Sequence, residues 1–199
     1  MKKLFIIGGM GAGKSTARKA LVDAGLPYID LDKVGHDVLM RDTVKEELVE
    51  TFGEDILDKD GEVIRPALAK KAFVSPAETR KLNRITMPRI EDAYTDRLAE
   101  LEREGHEAVV VEYSVFKSRA SSLAYSADVV MAVLAPLETR IERAVKSGFS
   151  EEDVRARIAR QITDADRIEA SDVVFNNDGT PDELRNEVIS WWNEYKKTI

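Results

Sequence analysis

Five short apolar runs stand out of an otherwise charged chain. They are Leu4 to Ile7, Pro27 to Ile29 ahead of Asp30, Ala108 to Val111, Val129 to Leu134, and Val173 to Phe175. Within each run the apolar residues are nearly continuous rather than alternating, which is the pattern of a strand covered on both faces. Helical sequence separates them, beginning with a segment from near Gly13 to around Gly25, so the chain opens as a βαβ unit. The pattern predicts an α/β fold with a five-stranded parallel sheet flanked by helices.

From about Lys33 to Gly105 the spacing is helical, no strand is evident, and Gly53, Gly61, Pro66, Pro76 and Pro88 interrupt it. We expect helices at Val44 to Phe52, Arg65 to Phe73 and Pro88 to Glu104, the last with Ile90, Tyr94, Leu98 and Leu101 on one face. A second polar stretch, about Thr139 to Arg167, alternates Arg with Asp and Glu around Gly148 and predicts a helix pair. Thr180 as N-cap with Pro181 at the first helical position starts a closing helix to about Lys197, in which Trp191 and Trp192 serve packing. The expected organisation is a core of residues 1–32, 106–138 and 168–199, a helical insertion over 33–105 and a lid over 139–167.

At 199 residues and 43% hydrophobic, the chain is long enough for one sizeable core. It has no cysteine, which excludes a disulfide framework and a thiolate metal site and suits the cytoplasm. No run approaches the roughly 20 apolar residues that span a bilayer, so no membrane partner is expected. A net charge of −7 argues against nucleic acid as a partner. A monomer is the default expectation.

The chemistry enters where the first strand ends. Gly8-Gly9-Met10-Gly11-Ala12-Gly13-Lys14-Ser15 fits Gly-x-x-x-x-Gly-Lys-Ser with a strand before it and a helix after it, the context a P-loop requires. Backbone N–H groups from Gly9 through Thr16 are expected to cradle phosphate at a helix N-terminus. Lys14 would reach the β and γ phosphates, and Ser15 would offer its hydroxyl to Mg²⁺. The second strand ends in Asp30-Leu31-Asp32, at the sheet edge where ligands collect. Asp32 is the candidate general base for an attacking hydroxyl, although an Asp there also suits the N-cap of the next helix. Glu112, closing the third run, is placed as a Walker B acid is and is a candidate metal ligand, or a strand-end charge reaching solvent. Arg140 and Arg143 lie three residues apart on one helical face. Arg143 is the candidate internal arginine finger, with ion pairs to Glu138 or Glu142 as the plainer reading. Asn176-Asn177-Asp178-Gly179 follows the last strand, either beside an adenine ring or as a simple turn. His36 and His106 lack partners at metal or triad spacing and are read as structural. No guanine-reading Asn-Lys-x-Asp occurs, so adenine nucleotides are favoured. Among small-molecule kinases, switch or motor NTPases and nucleotide-binding modules, the residues point to an ATP-dependent small-molecule kinase.

The chain resembles the dephospho-coenzyme A kinase family over nearly its whole length. Gly8 to Thr16 is similar to that family's Gly-Gly-Ile-Gly-Ser-Gly-Lys-Ser-Thr loop, and Tyr28-Ile29-Asp30-Leu31-Asp32 to its Val-Ile-Asp-Ala-Asp segment. Phe52 to Leu57, Asp60-Gly61 and Arg65 to Phe73 look like its insertion, and Gln161, Arg167 and Ala170 to Gly179 like its lid and its closing motif. The resemblance implies a P-loop NTPase fold and transfer of the ATP γ-phosphate to the ribose 3′-hydroxyl of dephospho-coenzyme A. It implies Asp32 as base, Lys14 and Ser15 for ATP and Mg²⁺, Arg143 on the transferring phosphate, and Asn177 and Gly179 near adenine. Three departures are visible. Met87-Pro88 replaces His-Pro; Glu112 to Ser118 replaces Asp-x-Pro-Leu-Leu-Phe-Glu; and Asp164 stands where the lid would carry arginine. A nucleoside or nucleotide monophosphate kinase and a non-catalytic ATP-binding sensor are the alternatives these departures leave open.

Overall fold

The computed structural model describes residues 1–199 and holds two compact units, Met1–Asp30 with Ala99–Ile199, and Leu31–Leu98. The first unit is built on five parallel strands, β1 (Lys2–Gly8), β2 (Tyr28–Asp30), β3 (Ala108–Glu112), β4 (Val129–Leu134) and β5 (Val173–Asn176), in the order β2-β3-β1-β4-β5. The chain moves outward from β1 to β2, returns to β3 beside β1, then crosses to β4 on the other side. Its direction therefore reverses next to β1, and the carboxyl edge there is where open parallel sheets bind ligands.

Leu4 to Ile7 and Val130 to Val133 are almost completely buried because helices cover both faces of the sheet. One face packs Leu4, Ile6, Val110, Met131, Val133 and Phe175 against α1 (Lys14–Asp23) and α9 (Pro181–Tyr195). Thr180 caps α9 in a capping box with Glu183, and Pro181 occupies the first turn, as the sequence predicts. Trp192 is buried in this core, and Trp191 meets Phe175 edge-to-face and stacks on Tyr195. Beyond β3, Tyr113 and Phe116 form an edge-to-face chain onto Phe5 of β1. Part of the atypical 112–118 segment is thus core packing.

In the second unit, α2 (Leu31–Leu39), α3 (Asp42–Phe52), α4 (Arg65–Ala72) and the first part of α5 (Pro76–Arg103) enclose Val38, Val44, Leu48, Phe52, Ile56, Leu68, Ala72 and Ile85. Lys71 ties Asp55 to the Phe52 carbonyl, and Arg89 pairs with Glu47. Two expectations are corrected here. Pro88 does not break the chain, since α5 runs through it from Pro76. Pro88 lacks the N–H that would bond the Arg84 carbonyl, and in the same turn the Arg89 guanidinium donates to the Ile85 carbonyl at 2.7 Å. Asp32 is not the N-cap either: α2 begins at Leu31, so Asp32 sits within the first turn, where its charge suits the helix dipole.

The polar stretch after β4 forms three helices rather than two: α6 (Leu137–Lys146), α7 (Glu151–Ile158) and α8 (Asp164–Ala170). Gly148, at φ 97°, supplies the left-handed residue that ends the first. Ser150 caps α7, and Thr163 with Asp166 forms a capping box that opens α8. Ile141, Ala144 and Val154 make a small core of their own, joined by Ile158 and by Met10 from the glycine-rich loop.

Candidate active site

The loop between β1 and α1 curls around the helix N-terminus. Gly11 (φ 73°) and Gly13 (φ 108°) take the left-handed conformation that turns successive N–H groups the same way. A cavity of about 420 Å³ opens over it, lined by Met10, Gly11, Gly13, Lys14, Ser15 and Thr16 together with Glu112, Arg143, Asn177 and Pro181. Lys14 Nζ donates to the carbonyls of Gly8 (3.1 Å) and Gly9 (3.3 Å), which puts the ammonium at the Gly8–Met10 end of the loop. Gly9 and Ala12 do not line the cavity, although both were expected to contact nucleotide. Gly9 faces Arg140, and Ala12 is buried with its carbonyl accepting from Asn177.

Glu112 is not a charge reaching into solvent. Its side chain is 14% exposed, and Oε2 lies 2.9 Å from Arg18 Nε in an ion pair that lacks the alignment of a hydrogen bond. Arg18 also stacks on Tyr28, its guanidinium 4.5 Å from the ring centroid. No motif singles out Arg18; the only signal is its position one helical turn after Ser15, on the side of α1 that faces β3. Glu112 aligns in register with Asp30 of β2, so two acidic residues end neighbouring strands. Asp32 follows two residues later in the first turn of α2. Ser15 and Glu112 share the cavity wall and carry oxygen atoms of the kind a hard cation takes. No group of three His, Asp or Glu side chains gathers at ligand spacing, and His36 and His106 lie only beside Asp37 and Glu104.

Asn177 is fixed from its side chain and from its backbone. It is 4% exposed, its Nδ2 donates to the Ala12 carbonyl at 2.7 Å, and its Oδ1 is buried without a partner. Its backbone carbonyl accepts from Arg143 at 3.2 Å. Its side chain therefore braces the loop, and the residue also lines, with Asn176, Asp178, Gly179 and Thr180, a second cavity of about 250 Å³.

Neither arginine of α6 pairs with Glu138 or Glu142. Glu138 binds Arg155, while Arg143 reaches the cavity and Arg140 turns inward. Arg140 Nε donates to the Met10 carbonyl at 3.1 Å, and its other nitrogens lie 3.5 Å from Asp164 Oδ2 and Gln161 Oε1. Gln161 Oε1 also accepts the Met10 N–H at 3.1 Å. Asp164 is held at 2.6 Å by Arg167, so Arg167 is engaged within α8, and the arginine touching the loop is Arg140. Burial lowers the Arg140 pKa, with Asp164 opposing the shift and Arg167 adding to it. The signal for this cluster was the i, i+3 spacing of the arginines; its acid lies 24 residues further along the chain.

Residues 4–183 match the protein family described as dephospho-CoA kinase. A dephospho-CoA kinase of Corynebacterium efficiens is 41% identical over 187 residues, covering 93% of this chain and 92% of that protein. One from Thermobifida fusca is 32% identical over 201 residues, covering 100% of this chain and 98% of that protein. Among solved structures, TT1252 from Thermus thermophilus superposes with a TM-score of 0.83 at 27% identity, covering 97% of both chains. A shikimate kinase from Acinetobacter baumannii shares the fold alone, with a TM-score of 0.52 at 16% identity over 98% of this chain and 95% of that one. The five-stranded parallel sheet, the phosphate-cradling loop and this match over most of the chain agree: the protein belongs to the dephospho-CoA kinase family.

Proposed function

We propose that this protein transfers the γ-phosphate of ATP to the ribose 3′-hydroxyl of dephospho-coenzyme A, with the site residues in the following roles. The observation that carries the reading is one cavity, at the carboxyl edge beside β1, that gathers Lys14, Ser15, Glu112 and Arg143 over the loop N–H groups in a chain of this family. The loop amides and Lys14 hold the β and γ phosphates, and Arg143 faces the transferring group. Ser15 and Glu112 would hold Mg²⁺, which would neutralise charge on the phosphate oxygens.

Asp32 accepts the proton of the 3′-hydroxyl as that oxygen bonds to the γ-phosphorus. The bond from γ-phosphorus to the bridging oxygen breaks, and ADP leaves with that electron pair. Its place in the first turn of α2, directly after the carboxyl end of β2, supports the assignment. We assign acceptor binding to the helical residues 33–105, closure over the nucleotide to residues 139–167, and adenine contact to the turn ending at Gly179. No helix is long and apolar enough to cross a membrane; a cytoplasmic monomer acting on a small molecule, without nucleic acid, fits the cysteine-free acidic chain.

The test is a mass-spectrometric endpoint assay with Mg²⁺-ATP and a mixture of dephospho-coenzyme A, AMP, CMP and adenosine, with Asp32→Asn alongside. Phosphate on dephospho-coenzyme A alone, lost in the variant, is the expected result. Phosphate on AMP, CMP or adenosine makes it a nucleotide or nucleoside kinase, and ATP binding without product makes it a sensor.

A further inference from the structure

Met10 is gripped by the lid at every group it has. Its side chain packs into the small core of Ile141, Ala144, Val154 and Ile158, its N–H donates to Gln161, and its carbonyl accepts from Arg140. The Arg140 guanidinium lies against Gly9 so closely that a β-carbon there would stand 2.0 Å from one of its nitrogens. Gly9 thus has a cation on each side, Arg140 against its α-carbon and Lys14 on its carbonyl oxygen. Since a P-loop lysine reaches the β and γ phosphates, this is the terminal-phosphate end of the cradle.

On the α6 and α8 side of the loop two buried cations share one carboxylate. The side chains of Arg140 and Arg167 are each 5% exposed, and the only carboxylate bonded to either is Asp164, which they share. Asp166 also acts on Arg167, but it is exposed and committed to Thr163 in the capping box. A buried cation without its own counter-ion is costly, and an anion placed close by relieves that cost. A nucleotide in the cavity would bring such an anion to Met10, which lines it.

We propose that Arg140 is a positioning residue that makes the loop select a nucleoside triphosphate over a diphosphate: the terminal phosphate completes the charge balance that Asp164 alone leaves open, and Arg140 relays lid position to the loop through the Met10 peptide. This rests on the kinase reading of the site but not on the acceptor. Arg140 does not reach the phosphate itself, because the loop backbone lies between.

The experiment is calorimetric titration of the protein with Mg²⁺-ATP and Mg²⁺-ADP, without acceptor, for the wild type, Arg140→Gln and Asp164→Asn. Arg140→Gln is expected to lower the ATP-over-ADP preference about tenfold. Asp164→Asn is expected to raise it, about threefold or more, because removing the carboxylate leaves the cations less compensated. Opposite signs separate this role from a structural one, in which both variants weaken both nucleotides alike. Equal weakening, or a fall in preference for Asp164→Asn, overturns the proposal. If Arg140→Gln does not fold, the half-exposed Asp164 carries the test: a raised preference supports the proposal and an unchanged one refutes it. A protein that binds both nucleotides yet never phosphorylates dephospho-coenzyme A still reports, so failure here and failure of the acceptor reading are distinct.

Discussion

Asn177→Ala separates two roles for the residue after β5. In the structure its amide braces the Ala12 carbonyl at 2.7 Å inside the protein, while the Arg143 contact goes to its backbone and survives truncation. The side-chain Oδ1 has no partner, so removing it forfeits no bond. The loss is one buried hydrogen bond, and the Ala12 carbonyl is left orphaned at about 1–3 kcal/mol. For a chain of this length each kcal/mol lowers Tm by about 2–4 °C, so a fall of about 2–12 °C is expected by calorimetry. If that energy is spent holding the loop in its binding shape, nucleotide affinity falls by up to about 5- to 150-fold. Because the brace lies behind the loop, ATP and GTP must lose affinity by the same factor. A contact to adenine would instead penalise ATP alone. An unchanged Tm with unchanged affinity, or a loss confined to ATP, refutes the brace.

Lys14→Ala removes the ammonium that joins the carbonyls of Gly8 and Gly9 at the loop mouth, and nucleotide titration should show loss of productive ATP binding. Asp32→Asn should keep ATP affinity within about twofold while lowering transfer by about 10²–10⁴-fold in a coupled assay; near-normal turnover removes the base assignment. For Asp128, burial works to raise the pKa, but the Lys3 N–H and the Lys2 ammonium outweigh it and leave it below the usual carboxylate value. Its stabilisation is therefore complete above that ordinary value, about 3.9, and is lost as pH falls through the lower folded value. Urea midpoints followed from about pH 6 to 2 should show a shallower acid decline for Asp128→Asn.

The strands were legible because a sheet covered on both faces needs unbroken apolar runs, and Val129 to Leu134 is buried at every position. The loop was legible because its chemistry is local, eight residues flanked by strand and helix. Pro88 misled because propensity marks it as a break, whereas the packed core around Ile85 carries the helix through it. Asn177 carries a contact that the sequence does not show. Its position after β5 is visible in the sequence, but whether its amide faces the ligand or the loop depends on a partner 165 residues away. Arg140 hid in the same way, beside Glu138, which pairs with Arg155 instead.

The glycines of the loop show how one motif answers to two surfaces. The N–H groups explain why the front of the loop needs a left-handed backbone at Gly11 and Gly13. They do not explain Gly8 or Gly9, which take no such conformation. A β-carbon at Gly8 would stand 2.5 Å from the Val133 carbonyl of β4, and one at Gly9 would enter the Arg140 guanidinium. One at Gly11 would meet the Arg140 backbone at 2.2 Å, and one at Gly13 the Asn177 amide at 2.1 Å. Four glycines therefore let β4, α6 and the end of β5 close directly onto the back of the loop. A loop packed this tightly has few other shapes available, so its N–H groups point at the phosphate position before any nucleotide arrives, which is how fixed dipoles gain strength over water. The same packing makes the loop's geometry a property of α6 and β5 as much as of the motif.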